Sequence, residues 1–194
     1  VKNMLTKNWA YKHVNGIIDV GIIVTAHFDN PLKADMIAFL RPVLAWEKKL
    51  LVPTSTFLGA YHILTSYLKT PRLVTKKALL RTFNINSPCF IAALSRPVVV
   101  EALEHAACYN LQSWDGYLIA LGQMLGTNVI YSRDKKMAKH PEITVVLPLE
   151  EHKIQRYHAW LTNQLKDSWR PYIRFVFYFV YFYLVSAPSL SVRP

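Results

Sequence analysis

The chain has 194 residues, 52% of them hydrophobic and 13% aromatic, which excludes a disordered polymer and fits one domain with an appendage. Its formal net charge of +11 points to a polyanionic partner, either nucleic acid or an anionic membrane surface. Two cysteines, Cys89 and Cys108, lack a CxxC spacing or clustered histidines, which excludes a disulfide framework and a zinc site and fits the reducing cytoplasm. Both are expected to be buried, inert thiols.

Residues 1–15 are polar and basic with no apolar h-region, so they read as an N-terminal extension and not as a signal peptide. The run IIDVGIIV at 17–24 is β-branched and apolar on both faces, the pattern of a central parallel strand. Asp19 within it is costly unless it is paired or binds metal. Residues 32–46 predict a helix that Pro42 should kink or end. LLVP at 50–53 reads as a short strand, after which Thr54 or Ser55 caps a helix through FLGAYHILTSYL. A short basic helix follows at 73–81, then a loop or small strand at 84–91. The helix predicted at 97–109 has Pro97 in its first turn, and the next, at 114–125, is closed by Gly126. NVIYS at 128–132 and ITVVLP at 143–148 are the last two strands. Strands alternating with helices imply an α/β domain over 16–150 whose parallel sheet is covered on both faces.

Beyond Pro148 the character changes. Residues 150–165 predict an amphipathic helix, and 151–194 form a C-terminal segment ending in an aromatic, apolar tail. The uninterrupted apolar run at 175–185 falls short of the roughly 20 residues a spanning helix needs. An extra strand, a partner-facing surface and an interfacial anchor over 171–187 stay open as readings, with membrane association the least favoured.

Three of the twelve acids sit at element ends that a parallel topology brings to one sheet edge, where open α/β sheets place their ligands. These are Asp19 after the first apolar run, Asp115 near a helix start, and Asp134 after NVIYS. Carboxylate oxygens suit hard cations such as Mg²⁺ or Mn²⁺, which polarise a phosphodiester and lower the pKa of an attacking water. Ser132, two residues before Asp134, is placed to bond a metal-bound water, a phosphate oxygen or its own turn. No acid occurs between Glu47 and Glu101, while Lys69, Arg72, Lys76 and Lys77 fall there, and Arg133, Lys135 and Lys136 flank Asp134. Such a single-sign surface would hold a phosphate backbone, with Tyr67 or Tyr131 as candidate stacking partners for single-stranded RNA. No GxSxG, Walker A, GxGxxG or HExxH motif is present.

The first-run aspartate in IIDVGIIV, the helix-opening aspartate in SWDGYLIALGQMLG and the stretch NVIYSRDKKMAKHPEITVVLP together resemble the PIN domain, most closely the VapC-type ribonucleases and their archaeal relatives. The resemblance spans roughly residues 16–150. It implies a three-layer α/β/α sandwich around a mainly parallel sheet, Mg²⁺- or Mn²⁺-dependent cleavage of RNA, homodimers and often a cognate antitoxin. Asp19, Asp115 and Asp134 would be its metal-site acids. One departure matters: the helix after the second strand normally carries a glutamate, and here Gly59 stands where it would align. The expectations are therefore a metal-dependent endoribonuclease and, with it, the role of toxin in a toxin–antitoxin pair, and the competing reading is a PIN-like module that binds RNA or protein without cutting.

Overall fold

The computed structural model describes residues 14–168, so the extension before them and the aromatic tail after them, with the readings attached to each, lie outside the described residues. A five-stranded sheet is the centre of the fold. Its strands are β1 (Gly16–Ile18), β2 (Leu50–Pro53), β3 (Phe90–Ile91), β4 (Val129–Tyr131) and β5 (Thr144–Val146). They lie in the order β3-β2-β1-β4-β5, and every pairing is parallel. The chain builds outward from β1 on one side and then returns to its other side, so the order reverses between β1 and β4.

Alternation along the strands sends successive side chains to opposite faces. Ile18, Leu50 and Val52 face one apolar layer, with Ile22, Met36, Phe39, Phe57 and Leu79. Ile17, Leu51 and Ile130 face the other, with Val98, Ala102, Leu118 and Leu121. The first layer is covered by α1 (Val20–Ala26), α2 (Lys33–Leu44), α3 (Ser55–His62, continued by a π-helical turn at Ile63–Tyr67) and α4 (Arg72–Phe83). The second is covered by α5 (Arg96–Cys108) and α6 (Ser113–Leu125). This is the expected α/β/α sandwich. Gly116 lets α5 and α6 meet closely, because a Cβ there would collide with the carbonyl oxygen of Ala102. Gly126 closes α6 in the left-handed region at φ 74°, as its position after the helical pattern predicts.

Three expectations are corrected. The run 17–24 is not one strand: β1 stops at Ile18 and VGIIV opens α1. Asp19 is the turning point, its N–H donating to Tyr131 O at 2.9 Å and its own carbonyl accepting from Ile22 N–H at 3.1 Å. Ile22, Ile23 and Val24 stay buried as a strand would require, and a short apolar run does not by itself separate the two structures. The helix over 32–46 runs past Pro42 but ends at Leu44, because Trp46 turns to φ 61°. Cys89 is buried, whereas Cys108, at the end of α5, is exposed.

The first compact unit ends at Glu151 and a second begins at His152. The second unit holds nearly all of α7 (Glu151–Ser168), in which Tyr157 and Trp160, one turn apart, stack with ring centroids 6.0 Å apart. Among the described residues no helix is long and apolar enough to cross a membrane.

Candidate active site at the sheet switch point

The reversal of strand order between β1 and β4 leaves a crevice beyond their C-terminal ends, the position where parallel sheets bind ligands. Ile18 pairs with Tyr131 in register, so the next residues, Asp19 and Ser132, emerge side by side. Ser132 is fully buried and donates from Oγ to Asp19 Oδ2 at 2.7 Å. The same Oγ accepts from the N–H of Asp134 at 3.0 Å. Val146 O receives the Ser132 N–H at 3.1 Å from the far side. Asp134 in turn accepts the Lys136 N–H on Oδ1 at 3.0 Å, an Asx turn that fixes the loop after β4.

Asp115 arrives from a third segment, the first turn of α6. Its carboxyl is pushed up to about 6, first by burial and then by the negative charges of Asp19 and Asp134. The backbone N–H of Gln112 and the charge of Lys136 oppose that shift. Asp19 is also raised, by burial above all, against the pull of Ser132 and the positive charge of Arg133. The fold thus brings the three predicted acids into one electrostatic neighbourhood. Like charges gathered in a low-dielectric crevice are unfavourable without a cation, and pKa values perturbed in this way cluster at functional sites.

Their oxygens are hard donors and match Mg²⁺ or Mn²⁺ in chemistry and charge. Among the described residues, no three His, Cys, Asp or Glu side chains converge closely enough to enclose one ion. At Gly59, a Cβ would stand 3.2 Å from Cγ2 of Val20, so α1 rests closely on α3 there.

No family model matches the chain, and no curated protein does. Among solved structures, a toxin–antitoxin complex from Klebsiella pneumoniae superposes with a TM-score of 0.46 at 17% identity, covering 70% of this chain and 99% of that one.

The predicted basic residues divide into two groups. Lys69, Arg72, Lys76 and Lys77 are exposed around the start of α4. Those beside Asp134 are engaged locally. Lys135 pairs with Glu151 at 2.7 Å, Lys136 with Asp134 Oδ2 at 3.6 Å, and Arg133 Nε donates to Gly21 O at 3.1 Å. Arg133 therefore turns toward the acids and not outward with the exposed set. Sequence reasoning missed this inward turn. The available signal was Gly21, a residue without a side chain two positions after Asp19 in an otherwise bulky run. Tyr131 packs with the core, its ring 5.7 Å from Phe39, whereas Tyr67 is exposed.

Proposed function

We propose that this protein is a metal-dependent endoribonuclease acting on single-stranded RNA. The observation that supports it is the meeting of Asp19, Ser132 and Asp134 at the switch point through hydrogen bonds of 2.7 and 3.0 Å, with Asp115 near enough for the two carboxylates to help raise its pKa. In this reading Asp19, Asp115 and Asp134 would hold Mg²⁺ or Mn²⁺ after drawing closer together than they stand here. Such an ion, when bound, polarises the scissile phosphodiester and lowers the pKa of an attacking water. Ser132 fixes the Asp19 carboxylate by its 2.7 Å hydrogen bond and the following loop through the Asp134 N–H. Lys69, Arg72, Lys76 and Lys77 hold the phosphate backbone on an acid-free stretch. The antitoxin and homodimer that go with the PIN-like resemblance belong to the same reading.

The test is Mn²⁺-dependent cleavage of a mixed, labelled single-stranded RNA pool, with wild type beside Asp115→Asn. Cleavage by wild type and at least about a hundredfold less by the variant is expected, because an electrostatic element of the transition state is removed. Equal cleavage by both would overturn the assignment.

A second reading is favoured by one observation, the packing of Val20 over Gly59, which leaves no room for a fourth acid without movement. There the same crevice belongs to an RNA-binding module that does not cut. RNA retained with strong salt dependence, and no products with either metal, would establish it in place of the nuclease.

A further inference from the structure

The acid crevice carries positive charge of its own. Arg133 lies across the first turn of α1, where Gly21 lacks a side chain. A Cβ on Gly21 would stand 3.2 Å from Arg133 Nη2, 3.3 Å from its Nε and 3.3 Å from Asp19 Oδ2. The guanidinium and the Asp19 carboxylate therefore flank one small space, and Nε is anchored there by Gly21 O. Lys136, the second cation of the same loop, sits against Asp134. Three carboxylates and two cations make a cluster far less negative than its acids alone would be.

From this geometry we infer that Arg133 is a resident counter-ion of the acid crevice, which offsets its charge in the metal-free protein and competes with a divalent ion for it. The inference rests on the metal-site reading above. Its consequence is coupling with the substrate. An incoming phosphate draws the guanidinium, a planar fork suited to phosphate oxygens, and leaves the carboxylates to the metal. Metal and oligonucleotide then bind cooperatively, and by linkage each tightens the other by the same factor. The glycine is part of the device, since any side chain at position 21 would displace the guanidinium or the carboxylate.

The experiment is titration of the full-length protein with Mn²⁺ alone, reading free ion by electron paramagnetic resonance. It is repeated with a saturating 2′-O-methyl oligonucleotide, whose length is checked after the titration to show that the metal-activated water has not cut it. Arg133→Gln should bind Mn²⁺ at least about fivefold more tightly than wild type, the low end of usual coupling. The tightening caused by the oligonucleotide should shrink in that variant. Arg133→Lys keeps the charge and should bind Mn²⁺ alone as wild type does, with a smaller tightening by the oligonucleotide because the planar fork is lost. If Arg133→Gln does not fold, Arg133→Met keeps the packing of the stem and reads the same quantity. Mn²⁺ bound equally or more weakly by the neutral variants, but lost in Asp115→Asn, would overturn this inference and leave the nuclease reading standing. No Mn²⁺ taken up by wild type or variants would overturn both.

Discussion

Ser132 uses one hydroxyl twice, donating to Asp19 and accepting from the N–H of Asp134. Its loss in Ser132→Ala removes a donor from the largely buried Asp19 carboxylate and an acceptor from the exposed loop at Asp134, the first alone costing about 1–3 kcal/mol. The lost bond favoured the charged form of Asp19, so that group, already raised, rises further. The acid limb of the cleavage profile should therefore move to higher pH, while Ser132→Thr should stay close to wild type. An unchanged profile in the alanine variant would separate Ser132 from the acid site. The spacing Ser-x-Asp after a strand made Ser132 and Asp134 visible in the sequence. The direction of Arg133 was not visible, because it depends on the bare backbone of Gly21, more than a hundred positions away in the chain.

At the scale of elements, α6 delivers Asp115 and is held by its contact with α5. Alanine is ordinarily the better helix former by about 1 kcal/mol, so Gly116→Ala would stabilise an isolated helix. Here the added methyl would meet the Ala102 carbonyl, and overpacking of about 1–3 kcal/mol or more outweighs the gain. Thermal unfolding should occur several degrees lower, with cleavage reduced as Asp115 shifts; a higher melting temperature would contradict the packing. The α1–α3 contact gives a complementary test. In Gly59→Glu the press of its Cβ on Val20 should offset the helix-propensity gain, while adding Val20→Ala should relieve that contact and tighten Mn²⁺ binding.

Element boundaries show how far sequence reasoning reaches. LLVP, the helix closed by Gly126 and the strand before Ser132 were legible from alternation, length and turn residues. The division of IIDVGIIV at Asp19 was not, because strand and helix bury those residues equally well. Tertiary pairing with Tyr131 O decides between them. The acids were legible as a set only because parallel topology sends strand ends and helix starts to one edge. Their mutual charge exists only in the folded molecule.

For the molecule as a whole, the acid cluster sets how stability depends on pH. Asp115 binds its proton more tightly folded, near 6, than at its ordinary 3.8. Its protonated form therefore supports folding, and that contribution is lost as pH rises from about 3.8 through 6; Asp19 acts in the same direction. For Asp115 the loss is of order 2–3 kcal/mol. His27 opposes it from the other side: burial lowers its pKa, so its contribution is lost as pH falls below about 6.5. Its ring bridges Ile23 O and Thr82 Oγ1, joining α1 to α4. Without metal, Asp115 and Asp19 should therefore lower stability as pH rises from about 3.8 through 6, with His27 partly offsetting them below about 6.5. The deciding measurement is thermal unfolding at pH 8 of wild type and Asp115→Asn, each in chelator and in Mn²⁺. In chelator the variant should melt higher by roughly 2–8 °C, since a crowded negative charge has been removed. Mn²⁺ should then raise the wild type alone, by the equivalent of about 2.7 kcal/mol at a hundredfold excess over its dissociation constant. A variant that melts lower than wild type in chelator, or is stabilised equally by Mn²⁺, would contradict a cation site built from Asp19, Asp115 and Asp134.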